Sequence, residues 1–178
     1  STGMSNLGMV ENALKKLGHN NVVLLHCTAA YPVPDTEVNL RVIQTLRHAF
    51  GLPVGLSDHT KGILAAGIAF ALGAVMIEKH FTLDKNLPGP DHAFSATPHE
   101  LGELTETVRR TEQMLGSSRK VITEKESGTM EYTPGLFAFC DIAEGSDIKE
   151  NNIEVRRRNK EGIGAELLDI VKERKARV

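Results

Sequence analysis

Short apolar runs alternate with amphipathic stretches through the first two thirds of the chain. Apolar residues recur at helical spacing in four stretches, at 5–17, 38–50, 62–72 and 99–115. Three continuous apolar runs lie between them, at 22–25, 54–56 and 74–77. Such runs are typical of strands buried on both faces of a parallel sheet. Their alternation with helices predicts an α/β fold, in which each helix returns the chain so that successive strands run parallel.

The pattern changes after residue 117. Residues 118–133 are polar and aperiodic, which is typical of a linker. Beyond them, apolar runs at 136–139 and 153–155 predict short strands joined by turns, and 165–172 predicts a helix. The predicted domains are an α/β domain over 1–117 and a small β-rich domain over 134–178, with the linker at 118–133 between them.

Polar and titratable side chains gather where the predicted strands end. They are His26, Ser57, Asp58, His59, Glu78, His80 and Asp91. The carboxyl ends of parallel strands lie at one edge of a sheet, where open α/β proteins and (β/α)8 barrels build their active sites. Three strand–helix units are too few to close an eight-stranded barrel. If this domain belongs to a barrel, we expect the earlier strands to lie outside this chain.

His59, Glu78 and His80 are the candidate metal-site residues. Glu78 and His80 are two residues apart, so on a strand both point to one face while Lys79 points to the other. We therefore expect Lys79 to pack or pair outside the site. Imidazole together with oxygen ligands suits Mn²⁺ or Mg²⁺, and two protein ligands would leave positions open for water and substrate. The alternative is that His59 and His80 only form hydrogen bonds at the rim of the barrel.

Three further side chains are candidate substrate contacts, and each has a plain structural alternative. Ser57 could receive a phosphate, because loops after barrel strands often bind one, or it could cap a turn. Asp91 follows the stiff run Pro88-Gly89-Pro90 and could meet a polyol substrate, or it could lie in an exposed turn. Tyr31 is open to the same two interpretations.

The composition narrows the class of protein. The chain has 178 residues, 40% of them hydrophobic, which is enough for one or two domains with a buried core. The formal net charge of −2 gives no indication of a nucleic-acid or anionic-membrane partner. No apolar run approaches the ~20 residues that span a bilayer, and no signal peptide is recognisable. Cys27 and Cys140 fall in different predicted domains, so a disulfide is not expected and a reducing, cytoplasmic setting fits best.

Four ordered motifs resemble those of the sialic acid synthase family. They are HCTAAYP from His26, GLSDHT from Gly55, EKHFTLD from Glu78 and PGPDH from Pro88. The family comprises the phosphoenolpyruvate-dependent N-acetylneuraminate synthases and their legionaminate and pseudaminate relatives. In the second domain, DIAEG from Asp141 and NIEVRR from Asn152 resemble the antifreeze-like (SAF, β-clip) domain that follows the barrel in that family.

The resemblance implies the C-terminal part of a (β/α)8 TIM barrel followed by a SAF domain, both truncated. It implies a C–C bond-forming transferase that condenses phosphoenolpyruvate with N-acetylmannosamine, giving N-acetylneuraminate and phosphate with the help of Mn²⁺ or Mg²⁺. A legionaminate or pseudaminate synthase acting on a diacetamido hexose is the first alternative, and a non-catalytic sugar-binding module is the second. We expect a domain-swapped homodimer of the full-length protein, and little activity from this chain alone.

The resemblance also implies roles for individual positions. Metal coordination falls on His59 and His80, and Glu78 lies beside them to act on water or substrate. The implied phosphate contacts are Ser57 and Ser1, and the implied contacts to sugar hydroxyls are Asp91 and Tyr31. The N-acetyl group is implied to meet Arg157 of a second subunit, with Arg156 and Arg158 as alternatives.

Overall fold

The computed structural model describes residues 1–129, 132–158 and 162–177. They form two compact units, Ser1–Ser118 and Arg119–Val178. The predicted linker at 118–133 and the predicted domain at 134–178 each contain positions outside the described residues. Among the described helices, none combines the length and the apolar character needed to cross a membrane.

The first unit alternates helices and strands, as the apolar pattern predicts. Its elements are α1 Leu7–Leu17, β1 Leu24–Cys27, α2 Val42–Phe50, β2 Val54–Asp58, α3 Leu64–Ala71, β3 Ile77–Lys79 and α4 Pro98–Leu115. The three strands are parallel neighbours in the order β1-β2-β3. This arrangement confirms the predicted α/β fold with a parallel sheet.

The strands extend further toward their carboxyl ends than the apolar runs predict. The apolar run places β3 at 74–77, whereas the strand is Ile77–Lys79. Ala74 is still tied to α3, because its amide donates a hydrogen bond of 2.9 Å to a carbonyl oxygen of that helix. The ladder continues instead into polar residues, with Glu78 opposite Ser57. The polar strand ends are therefore part of the sheet itself.

Alternation along β2 divides its side chains between two faces. Val54 and Leu56 are 0% and 1% exposed and pack in the core with residues of α1, α2 and α3. Gly55 and Ser57 point to the opposite face, because successive strand residues alternate. A Cβ at Gly55 would lie 2.5 Å from the carbonyl oxygen of Met76, so the close approach of the chain there requires glycine. The helices thus cover one face, and the other is left for the site.

The ends of the helices follow from the local sequence. Asn6 caps α1 by accepting a hydrogen bond from the Met9 amide, and Gly18, with a φ of 79°, ends the helix as its position predicts. Thr97 and Glu100 form a capping box at the start of α4, where proline is the first residue. This cap fixes the point at which the loop after β3 ends.

The second unit contains a small antiparallel sheet. Its elements are α5 Glu124–Ser127, β4 Pro134–Ala138, β5 Ile153–Arg157, β6 Ile163–Gly164 and α6 Leu168–Lys172. The strand order is β5-β4-β6. The runs at 136–139 and 153–155 are therefore strands with shifted ends, while β6 is not visible in the apolar pattern. α5 lies within the segment predicted as a linker, because Thr123 and Glu126 form a capping box that starts one helical turn.

Candidate active site

His59 and His80 are neighbours in space at the carboxyl ends of β2 and β3. Each directly follows the last residue of its strand, and the two strands are paired in parallel. The centroids of the two imidazole rings are 5.2 Å apart. With Glu78 and Lys79 they line a cavity of about 280 Å³. The structure thus brings together the three residues that the sequence proposes for a metal site. We call the side of β2 and β3 that carries Ser57, His59, Glu78 and His80 the site face.

Glu78 is held in place by a neighbouring hydroxyl group. Ser57 Oγ donates a hydrogen bond of 2.6 Å to Glu78 Oε1. The bond follows from strand register, because the two residues are opposite each other in the β2–β3 ladder. Ser57 is buried, whereas Glu78 is exposed. The carboxylate is therefore oriented yet accessible, and a phosphate at Ser57 would have to compete with it for the hydroxyl proton.

Both imidazoles turn one nitrogen toward the protein. His59 Nδ1 lies 3.3 Å from the carbonyl oxygen of Thr28 and 3.8 Å from Cys27 Sγ. His80 Nδ1 lies 3.8 Å from a carboxylate oxygen of Asp91. A carbonyl oxygen can only accept, so it favours the tautomer of His59 that carries its proton on Nδ1. Nε2 of that ring then keeps its lone pair, which is the usual arrangement of a metal-binding histidine.

Tyr31 and Phe94 complete a cluster of four rings with the two imidazoles, called here the ring cluster. The Tyr31 centroid lies 4.4 Å from that of His59 and 6.0 Å from that of His80. The Phe94 centroid lies 5.1 Å from that of His80 and 6.1 Å from that of Tyr31. Phe94 is 4% exposed and Tyr31 is 55% exposed. The site therefore has an inner apolar wall and an outer wall that carries a hydroxyl group.

Phe94 is a site residue that the sequence reasoning missed. It lies in the loop after β3, and this loop folds back because the Ala96 amide donates to the His80 carbonyl oxygen at 2.8 Å. The Thr82 amide donates in turn to the Ala96 carbonyl oxygen at 2.9 Å, and Thr82 Oγ1 lies 2.8 Å from His92 Nδ1. The only sequence signal for Phe94 is its place two residues after the PGPDH motif.

Lys79 points away from the site face, as the strand alternation predicts. Its Nζ forms an ion pair of 2.8 Å with Asp58 Oδ2, and the two side chains are 4% and 0% exposed. The same Nζ donates to the Thr60 carbonyl oxygen at 2.8 Å. Asp58 Oδ1 accepts from the amide and the hydroxyl of Thr60 at 2.8 and 2.7 Å. Asp58, which the sequence groups with the polar strand ends, thus lies with Lys79 on the opposite side, called here the rear face.

The loop that carries Asp91 is fastened to the start of α4. Lys85 Nζ donates to Glu100 Oε1 at 2.6 Å, and Glu100 Oε2 accepts from the Thr97 amide at 2.9 Å. The hydrogen bond from Lys85, followed by the one from the Thr97 amide, lowers the pKa of Glu100 to about 2. The carboxylate is therefore charged at neutral pH, and the ion pair holds the loop near the capping box.

The other two predicted contacts, Ser1 and Arg157, lie at the start of the first unit and within the second unit. Ser1 is exposed and precedes Thr2, whose amide and hydroxyl both donate to the Leu25 carbonyl oxygen at 2.9 Å. Arg157 belongs to the second unit, where its guanidinium lies 4.6 Å from the centroid of the Tyr132 ring. The first unit alone therefore presents the two imidazoles, the Glu78 carboxylate and the aromatic walls.

Sequence comparison with known families gives a clear match. The profile of the NeuB family covers residues 1–120 of the chain. The chain belongs to the NeuB family. The matched region contains the whole site face and the whole ring cluster, so these features belong to the part of the chain that defines its NeuB membership.

Relatives in sequence and in structure agree with the NeuB assignment. The chain is 45% identical to an N,N'-diacetyllegionaminic acid synthase of Campylobacter jejuni, over 88% of this chain and 49% of that protein. It is also 45% identical to the uncharacterized protein MJ1065 of Methanocaldococcus jannaschii, over 98% of this chain and 53% of that protein. The crystal structure of an N-acetylneuraminic acid synthetase from Leptospira borgpetersenii is similar with a TM-score of 0.65 and 37% identity, over 73% of this chain and 46% of that one. The chain thus spans about half the length of the curated relatives it matches.

Proposed function

We propose that this NeuB-family chain forms part of a synthase that condenses phosphoenolpyruvate with an N-acetylated amino sugar to give a sialic-acid-type sugar acid and phosphate. The observation that carries the proposal is the pair of imidazoles, 5.2 Å apart, beside the oriented carboxylate of Glu78. The Campylobacter and Leptospira relatives support it, because one is an N,N'-diacetyllegionaminic acid synthase and the other an N-acetylneuraminic acid synthetase.

The donor set of the site face fits a divalent cation. The Nδ1 atoms of His59 and His80 both face protein oxygen atoms, so Nε2 of each ring is the nitrogen left for a ligand. Across 1–129, 132–158 and 162–177, no three His, Cys, Asp or Glu side chains converge closely enough to hold a metal ion. The two imidazoles, with water and substrate oxygen atoms in the remaining positions, would hold Mn²⁺ or Mg²⁺. When bound, the ion would supply Lewis-acid polarisation of the sugar carbonyl.

The chemistry assigned to Glu78 is proton transfer. C3 of phosphoenolpyruvate forms a bond to the aldehyde carbon of the open-chain sugar, using the electron pair of its C2–C3 double bond and leaving C2 electron-poor. The sugar oxygen takes up a proton from solvent and becomes a hydroxyl. A water then adds to the electron-poor C2, and the Glu78 carboxylate accepts the proton that this water loses. The resulting tetrahedral carbon expels phosphate, its remaining hydroxyl proton passes to the departing phosphate, and the carbon becomes the keto group of the product. Ser57 holds Glu78 for this step through its 2.6 Å hydrogen bond.

The remaining side chains are assigned to substrate binding. Tyr31 and Asp91 are both partly exposed next to the imidazoles, where they would contact sugar hydroxyl groups. The resemblance to the family supports phosphate contacts at Ser57 and Ser1. It also supports an N-acetyl contact from Arg157 of a second subunit in a domain-swapped dimer.

Arg156 is less suited than Arg157 to that role. Its guanidinium already forms an ion pair of 2.9 Å with Glu154 and lies 4.8 Å from the centroid of the Phe137 ring. Successive residues of β5 alternate in direction, so Arg157 points to the other side of the strand. Each guanidinium lies over an aromatic ring, so the ion pair of Arg156 with Glu154 is the difference that favours Arg157 as the arginine offered to a substrate.

Two acceptor sugars are candidates for the proposed synthase. We assign N-acetylmannosamine as the acceptor, and the 45% identity to a diacetyllegionaminic acid synthase favours a 2,4-diacetamido hexose as the second candidate. The test is phosphate release from phosphoenolpyruvate by the full-length protein that contains this chain, with each sugar in turn. Turnover with the diacetamido sugar alone would refute the N-acetylmannosamine assignment. Absence of phosphate release with either sugar would contradict the synthase and favour a non-catalytic sugar-binding module.

A further inference from the structure

The site face is backed by a buried polar cluster that the proposed reaction does not use. It consists of Asp58, Thr60 and Lys79 and is called here the rear clamp. Lys79 Nζ binds Asp58 Oδ2 and the Thr60 carbonyl oxygen, both at 2.8 Å. Asp58 Oδ1 binds the Thr60 amide and hydroxyl at 2.8 and 2.7 Å. Asp58 and Thr60 are 1% and 2% exposed, so solvent does not compete for these bonds.

The members of the rear clamp flank both histidines in sequence. Asp58 and Thr60 are the residues on either side of His59, and Lys79 immediately precedes His80. The Asp58–Lys79 pair is also the last register pair of the β2–β3 ladder. Each histidine therefore leaves its strand at the point where regular pairing ends. The clamp joins the two chain segments there, directly behind the imidazoles.

Stability alone is a weak reason for such a cluster. A buried ion pair loses the hydration of two charges, and apolar residues of similar volume often stabilise a protein as well or better. The ion pair differs from apolar packing in having fixed directions and lengths. Lys79 makes two hydrogen bonds to two different residues, so its Nζ fixes the β3 segment relative to both sides of His59. Precise placement of ligands is what a metal site requires from its surroundings.

We propose that Asp58, Thr60 and Lys79 are positioning residues that set the separation of the His59 and His80 imidazoles, and through it the affinity of the site for a divalent cation. The inference rests on the proposed function, since it assumes that the two imidazoles bind the cation. It assigns Lys79 no contact with substrate. The effect passes through the backbone of the two segments that the clamp joins.

The first test is Mn²⁺ binding, measured by the electron paramagnetic resonance signal of the free ion, with the whole 178-residue chain. Lys79→Met is expected to weaken binding on the order of tenfold or more, as is usual when support behind metal ligands is removed. Lys79→Arg, which keeps the charge and the donors, should recover part of the loss. Lys15→Met is the matched control, because Lys15 forms an ion pair of the same 2.8 Å length with Glu11, on the exposed side of α1.

The second test needs no metal. The imidazole resonances of His59 and His80 are compared by nuclear magnetic resonance in the metal-free chain, with Lys79→Met and the control variant. We expect both imidazoles to shift in Lys79→Met and neither in Lys15→Met. If Lys79→Met does not fold, Thr60→Val serves in its place, since it removes one hydroxyl from the clamp and keeps the size of the side chain. A smaller change of the same kind is then expected.

The two tests distinguish failure of the positioning role from failure of the proposed metal site. Unchanged Mn²⁺ affinity and unchanged imidazole resonances in a folded clamp variant would overturn the positioning role and leave the two-histidine site standing. Mn²⁺ binding that survives in both His59→Ala and His80→Ala would contradict the proposed metal site. If the unsubstituted chain binds no Mn²⁺, the metal site is contradicted as well, and the imidazole resonances alone decide whether the clamp sets their positions.

Discussion

The two faces at the carboxyl ends of β2 and β3 each carry a carboxylate, one exposed and one buried. On the site face, Glu78 is exposed and bound by a single hydroxyl. On the rear face, the side chains of Asp58 and Lys79 are 0% and 4% exposed and are saturated by each other and by Thr60. The comparison shows that alternation along a strand separates a carboxylate available for chemistry from one committed to structure, although the two lie on neighbouring strands.

The largest expected effect on stability follows from removing the buried positive charge of Lys79 on the rear face. Lys79→Met leaves the Asp58 carboxylate buried without its partner, so the free energy of unfolding should fall by about 3–5 kcal/mol. Urea denaturation followed by circular dichroism measures the change. The double variant Asp58→Asn with Lys79→Met removes both charges but keeps an acceptor for Thr60, and it should lose less than Lys79→Met alone. An equal loss in the two variants would show that the charges are not coupled.

The equivalent change on the site face should spare the fold and impair the reaction. Glu78→Gln keeps the shape and an acceptor for Ser57 but cannot take up a proton. We expect kcat for phosphate release by the full-length protein to fall by about 100-fold or more, as for other general bases. The free energy of unfolding should change by less than about 0.5 kcal/mol, because the side chain is exposed. Undiminished kcat in this variant would remove Glu78 from the mechanism.

A smaller effect distinguishes the two roles of Ser57. If the hydroxyl acts by orienting Glu78, then Ser57→Ala should lower kcat by roughly tenfold, the loss of one hydrogen bond to a charged group. KM for phosphoenolpyruvate should then stay constant. A raised KM with unchanged kcat would show instead that Ser57 contacts the phosphate. Steady-state kinetics of the full-length protein separate the two outcomes.

The smallest expected effect concerns the ion pair between Lys85 and Glu100. The folded-state pKa of Glu100 is about 2, below the ordinary value of 4.5, so its bonds stabilise the fold above pH 4.5. This contribution is lost as the pH falls from 4.5 toward 2. Lys85→Met should therefore cost at most about 1 kcal/mol at neutral pH, and less as the pH falls through this window. A cost that is constant from pH 7 to 3 would contradict the assignment. Denaturant unfolding at each pH provides the measurement.

The order of the helices and strands and the direction of the strand side chains can be predicted from the sequence. The residues that each side chain contacts are harder to predict. Period-two alternation predicts that Lys79 points away from Glu78 and His80, because it depends only on neighbours in the chain. The partner of Ser57 depends on register between β2 and β3, which no local pattern specifies. The place of Phe94 depends on how the loop after β3 folds back onto His80. Asp58 lies at a strand end, as the predicted site residues do, and its side chain lies on the rear face with Lys79.

We propose that the imidazoles of the site face serve the reaction, whereas the rear clamp serves their placement. The most direct test is phosphate release from phosphoenolpyruvate by the full-length protein carrying His80→Ala, with circular dichroism to show that it remains folded. We expect a folded protein that releases phosphate more than about 100-fold more slowly, a loss beyond that caused by removing support behind metal ligands. A folded His80→Ala protein that retains the turnover of the unsubstituted protein would contradict it.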